Sequence, residues 1–181
     1  MTTTAPTPQE QARQRVLTIS RLNGWSVAVV AALGSLIALV LGDFLGAVLG
    51  VLAVASGWME LRGNRKLRQR SAKGMDWLVR SQLFLLAVIL AYCGSRLGSY
   101  NQDTLLGRFT PEVESLLRQA GIEKAALVPL VRLAFFGLYG AVAVAGVIYQ
   151  GGLALYYRGK TRLVTEALRA PPQPVHLPVT M

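Results

Sequence analysis

The chain has 181 residues, of which 52% are hydrophobic and only 15% charged, with a mean hydropathy of +0.42. Soluble domains carry about 25% charged residues, so this composition excludes an ordinary soluble globular protein and indicates a membrane protein. A formal net charge of +10 would suggest nucleic acid in a soluble chain. Here the basic residues lie between apolar runs, where they act as topology signals.

Residues 1–20 open with Thr, Pro and Gln and are expected to form a disordered cytoplasmic N-terminus. Arg13, Arg15 and Arg21 precede the first apolar run. That run is too long for a signal-peptide core of about 7–15 residues, so no cleavage is expected. Val16, Leu17, Ile19 and Leu22 could extend the first helix along the membrane surface.

From Gly24 to Leu61 only Asp43 and Glu60 are charged. About 20 apolar residues already span a bilayer, so this stretch reads as two spans, about 25–41 and 44–61, with a tight turn at Gly42-Asp43. Trp25 and Trp58 fall near one membrane face, as an aromatic belt requires. Gly34, Ala38, Gly42, Gly46 and Gly50 recur at four-residue spacing and make a smooth stripe. Such stripes let helices approach closely in lipid. Packing within the chain is preferred to a dimer seam.

Residues 62–75 are expected to be a basic cytoplasmic loop carrying Arg62, Arg65, Lys66, Arg68, Arg70 and Lys73. These six are candidate contacts for anionic headgroups, beside their plain topological role. No aromatic residue interleaves them, which argues against nucleic acid. A third span follows over about 77–97, with Asp76 as its cap, Trp77 as its anchor and Arg80 snorkelling to the interface. Cys93, the single cysteine, lies inside it as a small apolar side chain.

Residues 98–125 form the expected extracytoplasmic loop. Within it Thr110-Pro111-Glu112 starts a helix whose Val113, Leu116, Leu117 and Ala120 line one face, with Gly121 at its end. The fourth span covers about 129–157. Pro129 suits its first turn, or a kink if the helix begins earlier, and Gly151-Gly152 is the expected bend. Gly137, Ala141 and Ala145 form a second small-residue ladder. Tyr156, Tyr157, Arg158, Lys160 and Arg162 mark its exit from the membrane. Residues 163–181 are expected to be a Pro-rich cytoplasmic tail, holding the single histidine, His176.

These elements predict an all-α integral membrane protein: a four-transmembrane-helix antiparallel bundle over 21–162, with a short amphipathic extracytoplasmic helix. With both termini and the 62–75 segment inside, the outer side keeps only Arg96, Arg108, Arg118, Lys124 and Arg132 of the 19 basic residues. The positive-inside bias therefore predicts cytoplasmic termini and a bacterial inner (cytoplasmic) membrane.

Ionisable groups at membrane depth are costly and mark function. Glu60, Arg80, Gln82 and Gln150 fall near the cytoplasmic ends of their spans and form a candidate polar cluster in which Glu60 pairs with Arg80, the alternative being that each snorkels separately to the interface. On the outer side Asp43 could meet Arg96 or Arg132, the alternative being three solvated interfacial charges. No Gly-rich phosphate loop, HExxH, CxxC or nucleophile elbow is present, and Ser56 and Ser81 lack a histidine partner. No catalytic residue, metal ligand or cofactor is expected. The leading expectation is a noncatalytic membrane protein that assembles with itself or a membrane partner through its small-residue faces. The alternatives are a small oligomeric channel or transporter, and a lipid-binding protein using the basic segment.

Overall fold

A computed structural model of the chain describes residues 7–101 and 124–169, together with 115, 116, 119 and 121. Its long helices are α1 (Pro8–Val40), α2 (Phe44–Arg68), α3 (Lys73–Gly98) and α4 (Lys124–Arg169). All four are long and apolar enough to cross a membrane. The amphipathic helix expected over 110–120 falls largely outside the described residues, as does the tail from 170 onward.

Two compact turns organise the helices. At the first, Gly42 adopts φ 74°, a left-handed conformation that glycine reaches without strain. The Asp43 N–H donates to the Ala38 carbonyl at 2.8 Å and the Gly42 N–H to Leu39 at 3.1 Å, which closes α1 in a Schellman motif. The Asp43 carboxylate then accepts from the Gly46 N–H at 3.0 Å and opens α2. At the second turn Arg70 takes φ 61°. Ser71 donates to Lys66 at 2.9 Å and Arg70 to Leu67 at 3.1 Å, repeating the same closure.

The connection between α2 and α3 is therefore residues 69–72, not a loop over 62–75. Arg62, Arg65, Lys66 and Arg68 occupy the last turns of α2, and Lys73 begins α3. The buried residues Ser56, Glu60, Gly63 and Leu67 recur every three or four positions. That inward stripe carries the helix straight through the basic segment.

Further boundaries differ from expectation, among them the start of α4 at Lys124, which puts Pro129 inside the helix rather than in its first turn. α1 begins at Pro8 rather than near residue 21: Thr7 accepts from the Glu10 N–H at 3.4 Å, Pro8 fills the first helical position, and Glu10 pairs with Arg13 at 2.9 Å. Ala12, Val16, Ser20 and Asn23 then form its buried face. α4 runs on to Arg169, so residues 163–169 are helix and not tail. Thr161 and Thr165 bond to carbonyls four residues back, and Arg162 pairs with Glu166 at 3.0 Å. Asp76 does not cap α3 either; Ala72 holds that position, and Asp76 lies in the first turn, where an acid suits the helix dipole.

At 1.5 Å per residue α1 and α4 are about 50 Å and 69 Å long, against a hydrocarbon core of about 30 Å. Their extra turns are used for packing. Val16, Leu67, Met75, Leu78, Tyr157 and Val164 form one buried cluster, where the start of α1, the end of α2, the start of α3 and the end of α4 meet. Beyond it α1 exposes Val29, Leu33, Leu36 and Val40, and α2 exposes Phe44, Leu45, Val48 and Val51.

Glycine sets the closest approaches. A methyl group on Gly57 would lie 2.8 Å from the Gly24 carbonyl oxygen and 3.0 Å from the Ala28 nitrogen. One on Gly74 would lie 2.7 Å from the Gly63 carbonyl oxygen. Both meet backbone, which cannot rotate away. Gly57→Ala and Gly74→Ala are each expected to destabilise the protein by about 1–3 kcal/mol. Gly94→Ala, whose methyl meets nothing within 4 Å, is expected to leave stability equal or raise it by up to about 1 kcal/mol. Thermal unfolding in a mild detergent checks all three.

Candidate functional site

Polar residues of α1, α2 and α4 meet at one level of the fold. Glu60 of α2 is 2% exposed. Its Oε2 accepts from the Asn23 amide of α1 at 2.6 Å, and its Oε1 accepts from the Tyr157 hydroxyl of α4 at 2.8 Å. Tyr149, two turns earlier on α4, donates to Asn23 Oδ1 at 3.2 Å. A buried carboxyl group needs donors in place of water, and neutral groups from two other helices supply them.

Of the four expected members, Glu60, Gln82 and Gln150 are buried and Arg80 is exposed. The expected Glu60–Arg80 pair is replaced by Asn23 and Tyr157. Helical phase explains this: Arg80 lies two residues from Gln82, about 200° around the axis, so the two side chains leave opposite faces. Gln82 is fully buried beside Glu60. Neither of its amide atoms reaches good hydrogen-bond geometry, and the same holds for Gln150 Oε1.

A second group of bonds lies one turn further along α2. The Asn64 amide donates to the Leu17 carbonyl and to Ser20 Oγ, both at 2.6 Å, and its Oδ1 accepts from Arg68 Nε at 3.1 Å. Toward α3, Ser56 donates to the Ser81 carbonyl and Ser81 to the Leu78 carbonyl, each at 2.8 Å. Both hydroxyl protons are thus engaged by backbone. Among the described residues no three His, Cys, Asp or Glu side chains cluster, and His176 falls outside them.

At the other end Arg96 forms an ion pair with Asp43 and stacks on Tyr92, 5.1 Å from its ring centroid. Arg132 instead stacks on Phe136 at 5.8 Å. Tyr100, Phe135 and Tyr139 continue this aromatic seam between α3 and α4. Cys93 is buried.

The small-residue ladders divide between inside and outside. Gly46 packs against Asp43 and Arg96, and Gly50 against Ser35, whose hydroxyl donates to the Ala47 carbonyl at 2.8 Å. Gly34 and Ala38 line a groove of about 250 Å³, and Gly42 is the turn residue. On α4, Gly137, Ala141 and Ala145 are all exposed. Among the basic candidates, Arg62 and Lys66 lie over Trp77 at 5.2 and 5.0 Å, Arg68 is held by Asn64, and Arg65, Arg70 and Lys73 are exposed.

Asn23, Asn64, Tyr149 and Tyr157 were not among the residues expected here. Asn23 precedes the apolar run and Asn64 lies among basic residues, so hydropathy alone passes over both. Their phase gives them away: Asn64 follows Glu60 by four positions and Asn23 follows Val16 by seven, each on a buried face.

The chain matches no protein-family model, no curated protein and no solved structure. Glu60→Ala leaves the Asn23 amide and the Tyr157 hydroxyl unpartnered beside a new cavity, and is expected to destabilise by about 2–5 kcal/mol. Tyr157→Phe removes one donor, for about 0.6–1.7 kcal/mol. Arg80→Ala, at an exposed position, stays within about 0.5 kcal/mol. Denaturant titration in micelles separates the three; an Arg80 effect as large as that of Glu60 would restore the discarded ion pair.

Proposed function

We propose that the chain is a noncatalytic, multi-pass membrane protein that assembles with a second copy of itself through the outward face of α4. The observation that carries this is the state of α4: none of the residues in its most apolar stretch of 18 is buried, and that helix presents Gly137, Ala141 and Ala145 together on its open side. Apolar burial gives little net drive between helices in lipid, so association there relies on close backbone approach over small residues. The other ladder is already used within the chain at Gly46 and Gly50.

In this reading the helices form an antiparallel bundle. The order of contacts supports it, since early α1 meets late α2 at Asn23 and Glu60 while late α1 meets early α2 at Ser35 and Ala47. The basic residues of α2 and of the α2–α3 turn favour a cytoplasmic position for that end and both termini, in a membrane of bacterial inner type. The segment between α3 and α4 then lies outside. A pore needs polar groups converging along a path, whereas Asn23, Glu60, Asn64 and Tyr157 bond to one another or to backbone at one end.

In a Cys93→Ser background, Ala141→Cys is expected to yield a disulfide-linked dimer on mild oxidation in native membranes. Val147→Cys, about 120° away from the centre of the ladder, is expected to stay monomeric under the same treatment. Equal crosslinking at both positions, or none at Ala141, defeats the assembly proposal. A C-terminal fluorescent-protein fusion that folds and a phosphatase fusion that stays inactive are the outcomes expected of a cytoplasmic terminus.

A further inference from the structure

A second feature lies on α1 and the end of α2, away from the residues of α4's open ladder. Leu17, Thr18, Arg21, Leu22 and Trp25 of α1, with Arg68 of α2, line a groove of about 340 Å³. Its two ionised residues are both arginines, and no acid is among its lining. Arg68 is held in place: its Nε–H donates to Asn64 at 3.1 Å, and Asn64 is itself anchored to Leu17 and Ser20. An arginine fork carries four further N–H donors beyond Nε, in a planar array that fits phosphate oxygens. Thr18 belongs to the same lining.

The other half of the groove is apolar and open. Leu22 is 72% exposed and Trp25 57% exposed. They begin a row that continues down α1 through Val29, Leu33 and Leu36, all exposed and spaced three or four residues apart. One helix face thus runs from two arginines, past an indole, into a strip of aliphatic side chains. A free phosphate ion would use only the first part of that surface. A molecule with a phosphate at one end and an acyl chain at the other would use all of it.

We propose that this groove binds one anionic glycerophospholipid, with its phosphate between Arg21 and Arg68 and an acyl chain along Leu22, Trp25, Val29 and Leu33. The site is distinct from the general attraction of the basic segment. Arg62 and Lys66 are turned onto Trp77, and the groove draws on Arg21, which lies on another helix. The proposal rests on the membrane-embedded reading but not on assembly through α4, so the crosslinking result and the lipid result fail independently.

The test is native mass spectrometry of the full chain in mild detergent, titrated with phosphatidylglycerol, phosphatidylcholine or inorganic phosphate. The wild-type chain is expected to retain one phosphatidylglycerol in preference to phosphatidylcholine. At about fivefold per basic residue, the Arg21→Gln/Arg68→Gln pair is expected to lose roughly thirtyfold in affinity. The Arg62→Gln/Arg65→Gln pair, with the same charge change outside the groove, is expected to lose less than threefold. Equal losses in the two pairs, or displacement of the lipid by equimolar inorganic phosphate, overturn the proposal. A readout independent of those variants is a photoreactive amino acid at Leu22 in the otherwise native chain. It is expected to capture phosphatidylglycerol over phosphatidylcholine, and equal capture of both counts against the site.

Discussion

The fold depends on the hydrogen bonds that Glu60 receives from two other helices. A carboxyl group in a low-dielectric interior is costly unless hydrogen-bond donors replace the water it has lost. Asn23 and Tyr157 meet that requirement from α1 and α4. Their positions then fix much else. Asn23 must face inward, which sets the rotation of α1 and places Val16 seven residues earlier on the same buried face. Tyr157 must face inward, which leaves its neighbour Tyr156 only partly buried against the cluster. One pair of oxygens thus sets the phase of three helices.

This also explains why the two ends of the molecule differ. Where polar bonds and glycine contacts coincide, at Gly24–Gly57 and Gly63–Gly74, the helices are in backbone contact and the buried cluster forms around them. Toward the other end, the Asp43–Arg96 ion pair and the aromatic seam hold α2, α3 and α4 with fewer close approaches. Gly137 and Gly140 meet nothing within 4 Å there. In water such an apolar surface would close on itself. In lipid the acyl chains satisfy it equally well, so the helices stay apart unless a specific contact draws them together.

The spans were legible because their signal is composition over about 20 residues, which no local detail overrides. Their ends were not, because the helices continue past the apolar runs into sequence that is polar on average. The start of α1 shows this well. Thr7-Pro8-Gln9-Glu10 carries the same cap, proline and acid that marked Thr110-Pro111-Glu112 as a helix start, yet mean polarity hid the stripe of Ala12, Val16 and Ser20. Glu60, Gln82 and Gln150 stood out as polar residues in apolar runs. Arg80 stood out for the same reason and went the other way, since depth says nothing of phase. Tyr157 read as half of an interfacial pair, and only the packing of α4 on α2 distinguishes it from Tyr156.

The basic residues carry the same lesson one step further. Counting charges treats Arg62, Lys66 and Arg68 as equal votes for the inner face of the membrane. In the structure each is held differently: Arg62 and Lys66 against the Trp77 ring, Arg68 by an amide that is itself bonded to α1. A charge on a free chain samples many directions and contributes a diffuse attraction that salt screens. A guanidinium fixed by its neighbours presents its remaining donors in one direction and can recognise a shape. Because Asn64 joins Arg68 to the Leu17 turn, the rotation of α1 that Glu60 imposes through Asn23 also brings Arg21 to the same groove. The polar core and the charged surface are therefore not separate features of this chain: the bonds that orient α1 inside also decide which cations line the groove.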